Sequence, residues 1–105
     1  MTNDVFVALA NPVRRGIVER LAHGSTTIGA ATQGFGLSKP TISRHVRLLE
    51  DAGLVRRQIT GREHRLELDV DALAVPADWL SRQRDVWERM FDAVEDHLRT
   101  QASDS

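Results

Sequence analysis

Residues 37–61 constrain the fold more than any other stretch: Leu-Ser-Lys-Pro-Thr-Ile-Ser-Arg-His-Val-Arg-Leu-Leu-Glu-Asp-Ala-Gly-Leu-Val-Arg-Arg-Gln-Ile-Thr-Gly. Ser38 is a strong N-cap before Lys39-Pro40, because its hydroxyl accepts a first-turn N–H and proline tolerates the first turn. Ile42, Val46 and Leu49 recur at helical spacing, and Gly53 closes the helix. Leu54 to Ile59 then reads as a strand, Thr60-Gly61 as a turn, and His64 to Val70 as a second strand with Leu66, Leu68 and Val70 alternating inward. A capped helix thus leads directly into a two-stranded hairpin.

The flanks supply more helices. Thr2 or Asn3 caps a first short helix to about Ala10. Asn11-Pro12 starts a second, with Val13, Ile17, Val18 and Leu21 on one face and Gly24 at its end. Thr26 or Thr27 caps a third. That helix reads as short and mobile, because Gly29 lies within it, Gly34 follows, and each interior glycine costs about 1 kcal/mol relative to alanine. Pro76 opens a last helix to about Thr100, and 101–105 is predicted to fray. The predicted class is mainly α with a small β-hairpin: a winged helix-turn-helix of about five helices plus a two-stranded wing, in one domain over residues 1–105.

Charge is unevenly spread. The net charge of −1 divides into +1 for residues 1–37, +3 for 38–67 and −5 for 68–105. The basic middle predicts a polyanionic partner. Cysteine is absent, which removes disulfides, thiolate metal sites and cysteine nucleophiles. The longest apolar run, Val5 to Ala10, is too short to span a bilayer, and no basic segment precedes it, so a cytoplasmic protein without a membrane partner is expected.

At 100° per residue, Pro40, Arg44, Arg47 and Asp51 point away from Ile42, Val46 and Leu49, with Thr41 and Ser43 on the flanks. The helix start also offers N–H groups to an anion. Arg44 suits a bidentate pair with guanine, and Thr41 and Ser43 suit base edges. Lys39 and Arg47 suit phosphates. The expected contacts to a double-stranded DNA operator are therefore Ser38, Lys39, Pro40, Thr41, Ser43, Arg44 and Arg47, joined by Arg57, Arg62 and Arg65 from the hairpin. A solvated charged face would explain one isolated helix, but the basic hairpin beside it favours nucleic acid.

Ala8-Leu9-Ala10-Asn11-Pro12-Val13-Arg14-Arg15, Leu37 to Val46, Leu49 to Val55 and Gly61-Arg62 together resemble the ArsR-type bacterial transcriptional repressors. The resemblance spans about residues 5 to 68. It implies a homodimeric winged-helix repressor that leaves its operator when an effector binds, with the recognition helix at Lys39–Asp51 and the wing at about Arg56–Glu67. Ala31 and Thr32 stand where the family usually has leucine and alanine, and His64 replaces a wing tyrosine. The family's metal sensors use third-helix cysteines, or an Asp-x-His and His-x-x-Glu set in the last helix. This chain has neither, and its last helix carries one histidine, His97. No metal site or cofactor is expected.

The other histidines have ordinary roles. His45 reads as a packing residue at the edge of the recognition helix, His64 as a half-buried aromatic substitute, and His23 as a cation at a helix end. In the last helix, Trp79/Leu80, Gln83, Val86/Trp87, Met90/Phe91, Val94 and His97/Leu98 follow a 3-4 repeat too long for one small domain to cover. Part should pack on the first helix, and the rest should meet a second copy. The expected dimer contacts are Val5, Phe6, Leu9, Trp79, Val86, Trp87, Met90, Phe91 and Val94, with residues 76–100 as the dimerisation helix. The same apolar stripe suits a small organic effector. A winged helix serving only protein interaction is the alternative, which the basic wing disfavours. An enzyme is not expected, because no phosphate-binding loop, metal cluster or nucleophile–base set is present.

Overall fold

Asn11 takes an extended backbone, and its side chain accepts hydrogen bonds from the N–H groups of Val13 (2.8 Å) and Arg14 (3.2 Å). This separates α1 (Thr2–Leu9) from α2 (Pro12–Leu21) in the computed structural model, which describes residues 2–104 and the side chains of 4–102. The joint is reinforced from α2. Arg14 donates to the carbonyls of Ala8 (2.7 Å) and Val7 (3.2 Å), and Arg15 to that of Leu9 (3.0 Å). These carbonyls belong to the last turn of α1, where the helical i→i−4 partners run out; that of Val7 also accepts from the Ala10 N–H at 3.2 Å.

Thr27 caps α3 (Ile28–Thr32) by accepting from the Ala30 N–H at 3.2 Å. The helix is short, as predicted, and it is tied at both ends. Arg20 donates to the carbonyls of Ala31 (3.2 Å) and Gln33 (2.7 Å) while its guanidinium lies 4.2 Å over the Phe35 ring. At the other end, Thr26–Thr27 form a strand, β1, that the sequence reading missed. α4 (Lys39–Asp51) follows, then β2 (Val55–Thr60) and β3 (Glu63–Leu68). The sheet has three antiparallel strands in the order β1-β3-β2, not two, with Thr26 opposite Leu66 and Val55 opposite Leu68.

Two local expectations are corrected. Thr60 pairs with Glu63, so the hairpin loop is Gly61-Arg62, one residue later than predicted. Gly61 carries the positive φ of 63° there, which glycine tolerates without strain. Val70 does not continue β3. The side chain of Asp69 accepts from the Asp71 N–H at 3.1 Å and starts a 3-10 turn over Val70–Leu73, leaving Val70 68% exposed.

The chain divides into two compact units, residues 1–74 and 75–105. The core of the first is Val5 and Ala8 of α1, Ile17 and Leu21 of α2, Ala31 of α3, Val46 and Leu49 of α4, and Leu54, Val55, Leu66 and Leu68 around the sheet. Val5, expected at a dimer interface, is instead a core residue of its own protomer, because α1 packs on α2 and α4. The second unit is almost entirely α5 (Ala74–Asp104). It starts earlier than Pro76 because the 3-10 turn runs straight into it, and proline in the first turn removes only an N–H that has no helical acceptor. Its 31 residues make a rod of about 46 Å. Trp79, Leu80, Val86, Trp87, Met90, Phe91, Val94 and Leu98 are all exposed along it. Among the described residues no helix is long and apolar enough to cross a membrane.

Candidate nucleic-acid interface

α4 presents two unlike faces. Val46 and Leu49 are fully buried, whereas Lys39, Pro40, Ser43, Arg44 and Arg47 are exposed. Among the described residues Lys39, Arg44 and Arg47 take part in no ion pair, nor does Arg62 at the hairpin tip. By contrast, Arg56, Arg57, Arg65, Arg82, Arg84 and Arg99 all do. The three cations of α4 are therefore exposed without an ion pair, and Arg44 and Arg47 share the outward face with the exposed Asp51.

The start of α4 is more self-contained than the sequence suggested. Ser38 Oγ lies 2.9 Å from Thr41 Oγ1 and accepts the Thr41 N–H at 3.4 Å. Pro40 has no N–H, and the Ile42 N–H goes to the Ser38 carbonyl at 3.0 Å. The helix start is thus closed largely on itself, and charge is left to Lys39, Arg44 and Arg47. Ser38 caps the helix and Thr41 supports the cap.

Arg57 stands apart from the predicted contacts. Its strand parity matches Val55, so it turns inward. It pairs with Glu50 of α4 at 2.5 Å and donates to His64 Nδ1 at 3.1 Å. Its Nε is buried with no hydrogen-bond partner among the described residues. The expected DNA contact is replaced by a bolt between α4 and the wing. Arg65 is half-buried. It pairs with Glu63 at 3.1 Å and donates to the Ser25 carbonyl at 3.2 Å, tying β3 to the approach of β1. Only Arg62 of the three predicted wing arginines projects without such ties.

His45 has the packing role the sequence indicated. Its Nδ1 lies 3.1 Å from Arg14 Nη1. Arginine only donates, so His45 accepts at Nδ1 and is neutral. Burial first, then the charges of Arg14 and Arg44, push its pKa below the ordinary 6.5. Sequence reasoning missed that Arg14 and Arg20 fasten helix ends from within. The missed signal was their placement on α2, within reach of the carbonyls at the ends of α1 and α3. No group of three or more metal-ligating side chains converges among the described residues.

Known proteins share this arrangement. The sequence profile of a helix-turn-helix domain family matches residues 9–58. The HTH-type transcriptional regulator Rv2034 of Mycobacterium tuberculosis is 33% identical over 98 residues, covering 93% of this chain and 89% of that protein. The transcriptional repressor SdpR of Bacillus subtilis is 32% identical, covering 74% of this chain and 87% of that protein. Among solved structures, the ArsR family transcriptional regulator RHA00566 superposes with a TM-score of 0.75 at 31% identity, over 82% of this chain and 89% of that one. The capped recognition helix, the wing and these relatives agree: the chain belongs to the ArsR family of winged helix-turn-helix, DNA-binding transcriptional regulators.

Proposed function

We propose that the protein is a homodimeric, sequence-specific repressor of its own or a neighbouring operon. α4 enters the major groove with Arg44 on a base and Lys39 and Arg47 on phosphates, while Arg62 reaches the backbone beside the groove. The observation that carries this is the exposed cations of α4, Lys39, Arg44 and Arg47, which have no acidic partner among the described residues while most other arginines of the chain do. Dimerisation is supported by the exposed apolar stripe of α5, which a second copy of the same helix would cover. A homodimeric winged helix-turn-helix domain from Mycobacterium bovis, 23% identical, shares the fold with a TM-score of 0.61. An organic effector would then release the operator.

The test is fluorescence anisotropy on a duplex selected from a random pool and on an unselected duplex. Arg44→Ala should cost about 1–3 kcal/mol on the selected DNA and little on the other. Arg62→Ala should weaken both and reduce the salt slope by about 1 per subunit. Equal losses on both duplexes for Arg44→Ala would overturn the base-reading role.

A further inference from the structure

Between α3 and α4 lies an open groove of about 350 Å³, lined by Ile28, Gly29, Thr32, Lys39, Ile42 and Ser43. Its wall is mainly apolar. Ile28 and Ile42 are half-buried there, and the Thr32 hydroxyl donates to the Ile28 carbonyl at 2.7 Å, so it is already satisfied. Gly29 leaves room, since a Cβ added to it would meet nothing within 4 Å. Lys39 supplies the one charge of the lining. The size falls within the range of small-molecule sites, and an apolar wall with a few polar groups is their usual chemistry.

We propose that this groove binds a small amphiphilic carboxylate, with its hydrocarbon body against Ile28, Gly29 and Ile42 and its carboxylate on the Lys39 ammonium. The charge complementarity selects the class: a lone lysine in the lining of an apolar groove favours an organic anion over a neutral or cationic molecule. Position gives the consequence. Lys39 and Ser43 are also groups that the DNA-binding reading above places on the operator, and this part of the inference rests on that reading. A carboxylate in the groove neutralises Lys39 and shields Ser43, so ligand and DNA exclude each other. This is competition on the reading head itself and requires no change of shape.

The test uses the full chain, with octanoate as the probe and octanol and acetate as comparisons. Octanoate titrated into the DNA-free protein should give saturable amide shifts at Gly29, Thr32 and Ser43 in nitrogen–proton correlation spectra. Gly29→Leu, which fills the groove from an open position on α3, should weaken binding about tenfold or more. Lys39→Gln should weaken it by a similar factor, and octanol should bind about tenfold less tightly than octanoate. Unchanged melting temperatures of both variants separate lost binding from lost folding. Saturating octanoate should also weaken binding to a mixed-sequence duplex about tenfold at constant ionic strength, while acetate should not. Shifts confined to α5, octanoate affinity unchanged by Gly29→Leu, or octanol binding as tightly as octanoate would each overturn the site. A protein that binds octanoate in the groove but no DNA would support the site and refute the DNA-binding reading instead.

Discussion

Glu50→Ala tests whether the wing is bolted to the recognition helix. The Arg57 side chain is 25% exposed and that of Glu50 30%, so the pair is neither fully buried nor at the surface. Deleting one member of a fully buried pair costs about 3–5 kcal/mol, because a charge is stranded. Exposed pairs yield about 0.2–1 kcal/mol. Here the guanidinium would keep His64 Nδ1 as an acceptor, while its Nε already has no partner among the described residues. The intermediate expectation is a loss of about 1–3 kcal/mol, the usual range for leaving a largely buried donor unsatisfied. For a domain of this size each kcal/mol lowers the melting temperature by about 4–8 °C.

The assay is thermal and urea unfolding of wild type, Glu50→Ala, Arg57→Leu and the double variant. Both single variants should lose about 1–3 kcal/mol, and the double should lose less than their sum, because removing both partners leaves no stranded charge. A Glu50→Ala protein within about 0.5 kcal/mol of wild type, with additive losses in the double, would refute the bolt and return Arg57 to the surface.

Three further outcomes follow. His45 has a folded pKa below 6.5, lowered by burial and by Arg14 and Arg44, so the unfolded chain takes up its proton first as pH falls. Its contribution is complete above the unfolded value and is lost as pH falls through the folded one; urea unfolding between about pH 7.5 and 5.5 should show a steeper loss for wild type than for His45→Gln, and parallel curves would contradict this. Gly16→Ala gains helix propensity but places a Cβ 2.9 Å from Phe35 Cζ, in a ring stacked under Arg20, so a net loss of about 1 kcal/mol in urea unfolding is expected and a gain would contradict it. Trp87→Glu with Phe91→Glu should turn a micromolar dimer into a monomer by sedimentation velocity, because both side chains lie exposed on one face of α5 with ring centroids 6.2 Å apart; an unchanged dimer would move the interface elsewhere.

Local chemistry carried most of the fold into view. Asn11-Pro12 and Ser38-Lys39-Pro40 mark helix starts by caps that need only neighbouring residues, and both caps form as read. Gly53, with φ of 77°, marks the turn into the wing for the same reason. What escaped depends on distant partners. Two threonines, though β-branched, make too short a run to read as a strand; Thr26 and Thr27 become β1 only because Leu66 and Arg65 lie alongside. Arg57 is a different case. Its parity with Val55 and its cross-strand partner Leu66 place it on the inner face, a period-2 pattern present in the sequence but masked by counting Arg57 as one more positive charge.

The same distinction bears on charge as evidence. Counting arginines suggested a basic middle segment, yet an arginine contributes to an outward field only if its guanidinium has no internal acceptor. Arg14, Arg15 and Arg20 serve the carbonyl ends of α1 and α3, and Arg57 serves Glu50 and His64. All four are charged, but their donors are directed into the protomer. Within the basic segment Arg56 pairs with Glu67 and Arg65 with Glu63, so Lys39, Arg44, Arg47 and Arg62 remain, three of them on α4 and one at the wing tip. The polyanion-facing surface is therefore smaller than the segment's charge suggests and more concentrated. Concentration on one helix and the adjoining wing tip, more than net charge, makes a DNA groove a better match for this surface than an arbitrary acidic partner.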